Sequence, residues 1–136
     1  MINDTKLKQR VSILWIIILI GLMFHILLHL TPVFYGINVT KQGANGVMPV
    51  SMILTYGLSY CIPVMALINI QYLKQRMGKF LNIVLTIFAL LVNIGHLSEI
   101  FITKAKSPEQ LFVLISLFIV AVLLLRDSIK WFQIKL

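Results

Sequence analysis

Long apolar runs separated by short polar clusters make up this chain. The first run, from about Val11 to Leu30, reads VSILWIIILIGLMFHILLHL. At a helical rise of about 1.5 Å per residue, some 20 residues cross the hydrocarbon core of a bilayer. No small-residue cleavage site follows it, so the pattern predicts a retained membrane helix and not a cleaved signal. Thr31 and Pro32 close it, because proline disfavours helical geometry in the residue before it. The stretch GINVTKQGANGV from Gly36 to Val47 carries three glycines and an Asn-Gly pair, a loop composition.

Pro49 stands where a helix start tolerates proline, and a second apolar run follows to about Tyr72. Pro63 lies inside it and removes the backbone donor for the Ser59 carbonyl, which predicts a kink in mid-membrane. Lys74, Arg76 and Lys79 around Gly78 mark a short turn, and Lys104 to Pro108 mark the next. The expected spans are about 11–31, 49–72, 80–102 and 109–129 in a single domain. The short second and third connections predict an all-α membrane protein, an antiparallel up-down bundle of four transmembrane helices.

Composition strengthens this reading. Of 136 residues, 60% are hydrophobic, and the mean hydropathy of +0.98 exceeds what a soluble fold of this length could hide from water. The net charge of +8 adds topology. Lys6, Lys8, Arg10, Lys74, Arg76, Lys79, Arg126, Lys130 and Lys135 fall on one side, and Lys41, Lys104 and Lys106 on the other, nine of the twelve cations against three. By the bias of basic residues toward the cytoplasm, both termini face inward, as in a bacterial inner membrane. Trp15, Tyr72 and Trp131 fall near the inner helix ends, where aromatic rings favour the headgroup zone.

The cations form no basic face interleaved with aromatics, so nucleic acid is not an expected partner. The expected partners are the lipid bilayer and other membrane subunits or further copies of the chain. Cys61 is the only cysteine, which excludes thiol–disulfide chemistry within the chain and leaves it as a small packing residue. The first span has no carboxylate of the kind that small multidrug transporters carry there. Met23, Phe24 and Phe34 read as ordinary packing. Asn69, Gln71, Asn82 and Thr86 form a polar group near the inner ends, explained by hydrogen bonds between helices. Asp127 pairs with its neighbour Arg126.

Candidate chemistry comes from ionisable residues inside the spans, where each needs a partner, a cavity or a function. His25 and His29 are four apart and differ by about 40° around a helix, so they share a face. Asn93, His96 and Glu99 are spaced by three and share a face of the third helix. With the outer helix ends near Thr31 and Ile102, all four ionisable groups lie within roughly 10 Å of the outer surface. Thr55, Tyr56, Ser59 and Tyr60 of the second helix are expected at similar depth.

Three imidazoles and a carboxylate suit a transition metal, with His25, His29 and His96 as ligands and Glu99 as a fourth. Two histidines from facing helices are also the arrangement that holds a haem, and Tyr56, Ser59, Tyr60 and Asn93 would support either group. Glutamate does not follow His25, so the zinc-protease pattern is absent, and no catalytic constellation appears. Two other readings remain: a non-catalytic accessory subunit of a larger membrane complex, whose polar layer serves assembly, and a small proton-coupled transporter acting as an oligomer.

Overall fold

A computed structural model describes residues 4–40, 43–73, 75–103 and 108–134. Four α-helices account for most of them: α1 (Asp4–Leu28), α2 (Val50–Tyr72), α3 (Gln75–Thr103) and α4 (Pro108–Gln133). All four are long and apolar enough to cross a membrane. Lys41, Lys74, Lys104, Lys106 and Lys135, which entered the charge count, lie outside the described residues.

The helix ends follow local chemistry. α1 stops at Leu28, earlier than the expected span, and its last turn tightens: the His29 and Leu30 amides donate to the Ile26 and Leu27 carbonyls at 3.2 and 3.0 Å. A short 3₁₀ turn over Thr31–Tyr35 follows, entered through Pro32. It ends at Gly36, whose φ of 71° is the left-handed geometry that glycine adopts without a Cβ penalty. His29 therefore sits one residue beyond α1 and not within it. α2 begins after Pro49 and continues as a helix through Pro63. Between α2 and α3 the Asn69 side-chain amide donates to the Gly78 carbonyl at 2.8 Å, bridging the turn.

α1 packs against α2 and α4, and α3 packs against the same two helices. Asp4, at the start of α1, meets Lys79 near the start of α3 (2.6 Å) and Trp131 near the end of α4 (3.1 Å). His25, at the end of α1, meets His96 toward the end of α3. α1 and α3 thus point the same way, with α4 reversed between them.

The inward stripe of α1 is Leu7, Val11, Trp15 and Ile18, at helical spacing, and that of α4 is Leu114, Leu117, Ala121, Leu124 and Trp131. The corresponding positions of α3 are polar: Lys79, Asn82, Thr86 and Asn93 are all buried. Outward positions such as Ile20, Leu91 and Phe112 are exposed. This polarity suits a bundle in lipid, where burying apolar surface drives little and interhelical hydrogen bonds contribute more of the specificity. Trp15 donates through Nε1–H to Asn82 Oδ1 at 2.8 Å, and Asn82 Nδ2–H donates to Ser128 Oγ at 2.7 Å, joining α1, α3 and α4.

Several side-chain assignments from the sequence change. Trp15 and Trp131 are buried hydrogen-bond donors, and Tyr72 alone of the three aromatics is exposed. Met23, Phe24, Phe34 and Cys61 are exposed and do not pack into the bundle. Asp127 holds Arg126 at 3.0 Å and also Arg10 of α1 at 2.8 Å, a clamp between helices and not only a pair of neighbours.

Candidate functional site

The three histidines gather at the end of the bundle opposite the Asp4–Lys79 ion pair. α1 delivers His25, which is buried, and the tightened turn after Leu28 delivers His29. Their ring centroids are 4.8 Å apart at 76°, edge to face, and their Nε2 atoms approach to 3.4 Å. His96 of α3 faces His25 with centroids 5.8 Å apart and planes tilted by 60°.

The Nε2–Nε2 separation is informative. Good N–H···N contacts fall near 2.7–3.2 Å, so 3.4 Å is a long hydrogen bond. Two nitrogens bound tetrahedrally to one metal at about 2.0–2.1 Å would lie about 3.3–3.4 Å apart. The pair therefore already has the edge length of a tetrahedral site.

Gln110 completes the surroundings. It stands two residues after Pro108 in the first turn of α4, is buried, and sets its Nε2 3.2 Å from His29 Nδ1. An amide nitrogen only donates, so His29 Nδ1 accepts in this arrangement. Turning the amide by 180° would offer Oε1 instead and let Nδ1 donate, the orientation that a metal bound at Nε2 requires. The sequence reading missed Gln110. Its signal was a polar residue at the layer's depth just past a helix-starting proline, which at a helix end reads equally as a solvated group.

Ser59 and Asn93 are buried and line one cavity with His96. Tyr56 and Tyr60 do not join them: both are exposed, as is Thr55, because the first turns of α2 stand largely clear of the other helices. Glu99 belongs to α3, one turn beyond His96, but its side chain lies outside the described residues. Among the described residues no three His, Cys, Asp or Glu side chains form a group able to hold a metal ion together. Nor does a slot of macrocycle size open between His25 and His96, whose neighbouring cavity has room only for about one water-sized sphere.

No family model, curated protein or solved structure matches the chain.

Proposed function

We propose that this is a small integral membrane protein that binds a transition-metal ion near one end of its helices. In this reading Nε2 of His25 and Nε2 of His29 are the primary ligands. His96 is the third once its ring turns toward the pair, and Glu99 is the fourth. The 3.4 Å separation of the two Nε2 atoms carries the reading, because it matches a tetrahedral ligand edge. Imidazole with carboxylate suits zinc, copper, iron or nickel. Haem is the weaker form of the proposal, since tilted rings 5.8 Å apart leave little space for a macrocycle between them.

The arrangement we propose is an antiparallel up-down bundle in a bacterial inner membrane, with both termini cytoplasmic and the histidines near the outer face. The nine-to-three division of Lys and Arg supports this orientation. A cysteine introduced at Lys6, in a Cys61→Ser background, should resist an impermeant thiol reagent in intact cells; labelling from outside would refute the orientation.

The metal reading is tested on full-length protein purified in mild detergent. Elemental analysis should find close to one equivalent of bound metal after loading with Zn²⁺ or Co²⁺. His25→Ala and His29→Ala should each lose it while keeping the helical circular dichroism of the parent. No stoichiometric metal, either as purified from native membranes or after loading, overturns the proposal. An accessory subunit of a larger complex is the second reading, supported by how little of the chain lies outside the four helices. It requires a co-purifying membrane partner and fails if the protein runs alone.

A further inference from the structure

Beyond the histidine pair, a narrow cavity runs between the helices on the inner side of His96. Its walls are mostly apolar, from Leu22 and Ile62 to Leu114, with three polar side chains among them: Ser59, Asn93 and His96. Among the described residues none of these three side chains makes a hydrogen bond. Asn93 is 6% exposed, and its Oδ1 is buried with no donor. Pro63 also lines the cavity, and because it has no N–H, the Ser59 carbonyl lacks its helical donor.

Such a concentration of acceptors calls for a donor. An amide oxygen left dry in an apolar interior costs roughly 1–3 kcal/mol by mutational measures, and bilayer surroundings offer no water to relieve it. The free space accepts the centre of about one water molecule, and a buried water needs two to four polar partners. Ser59, Asn93 and His96 supply that number.

We infer that this cavity is a hydration site, holding one water molecule that donates to Asn93 Oδ1 and to Ser59 and accepts from the His96 ring. The recognised ligand class is a neutral hydrogen-bond donor of water's size. The bound molecule fills the space released by Pro63 and joins α2 to α3, two helices between which the described side chains make only the Asn69–Gly78 hydrogen bond. It also places a proton-exchanging group against His96.

The site does not depend on metal at His25 and His29, so the test uses full-length, chelator-treated protein in lipid bilayers. Water-edited solid-state NMR reads how fast water magnetisation reaches side-chain amides. The Asn93 amide, assigned by its disappearance in Asn93→Leu, should build up several-fold faster than that of Asn82, which is also buried but bonded to Trp15 and Ser128. In Asn93→Leu the Ser59 and His96 signals should lose most of their water transfer. A build-up at Asn93 as slow as at Asn82 overturns the inference. So does transfer to Asn93 from lipid acyl chains without water, which would mean that the cavity takes a hydrocarbon tail.

Discussion

The Trp15–Asn82–Ser128 chain offers the sharpest energetic test of how these helices are held together. All three residues are buried to within 1% of complete, and the two hydrogen bonds are short, at 2.8 and 2.7 Å. Asn82→Ala removes both bonds, leaves the indole N–H without its acceptor and opens a small cavity. A buried donor without a partner costs about 1–3 kcal/mol. Interhelical bonds in membrane proteins average about 0.6 kcal/mol and reach about 1.7, because the unfolded chain in lipid also finds partners. Two bonds plus the cavity then give a loss of about 2–4 kcal/mol for Asn82→Ala. The cleaner quantity is the coupling between Trp15→Phe and Asn82→Ala in a double-mutant cycle, expected at about 1 kcal/mol. Equilibrium unfolding in mixed detergent micelles, followed by far-ultraviolet circular dichroism, reads all four proteins without relying on the indole that two of them lack. A coupling below about 0.3 kcal/mol, the ordinary error of additivity, would refute the claim that this bond stabilises the bundle.

Gly21→Ala should destabilise by about 1–3 kcal/mol, since a Cβ there would overlap the Leu117 side chain, and Leu117→Ala should restore much of the loss in the same unfolding assay. Asp4→Ala leaves the buried Lys79 ammonium with only the Ile134 carbonyl and the Trp131 ring and should cost roughly 3 kcal/mol, whereas the double variant with Lys79→Met should recover most of it. Gln110→Leu should weaken metal binding by about 10–100-fold with little change in helix content, as expected for a group that orients a ligand; unchanged affinity in a calorimetric titration would remove Gln110 from the site. Chelation should lower thermal stability by about 2.7 kcal/mol relative to protein held at a hundred times the dissociation constant of its metal, and equal melting curves would contradict coupling of the site to the fold.

Four apolar helices were legible in the sequence because length and hydropathy are properties of single segments. The helices match the expected ones in number and order; α1 begins at Asp4 and α3 at Gln75, seven and five residues before the expected spans, and α1 stops at Leu28, which leaves His29 between the helix and the 3₁₀ turn over Thr31–Tyr35. That His25 and His96 lie near the same end followed from counting residues inward from the helix ends, a one-dimensional argument that needs no packing.

Which side of each helix faces its neighbours is another kind of information. α1 is apolar nearly all the way round, so its periodicity does not distinguish the stripe of Val11 and Trp15, which is buried, from Ile20 and Phe24, which are exposed. For this reason the sequence does not show that the indole N–H groups of Trp15 and Trp131 turn inward to Asn82 and Asp4. Tyr56 and Tyr60, expected at the depth of the histidines, are exposed, because depth along an axis says nothing about direction around it. Gln110 became visible only once α4 had packed beside α1. The sequence by itself determined four membrane-length helices and put His25, His29 and His96 near one end of them. The tertiary structure decided which of those residues touch, because rotation of one apolar cylinder against another is set by side chains from several helices at once.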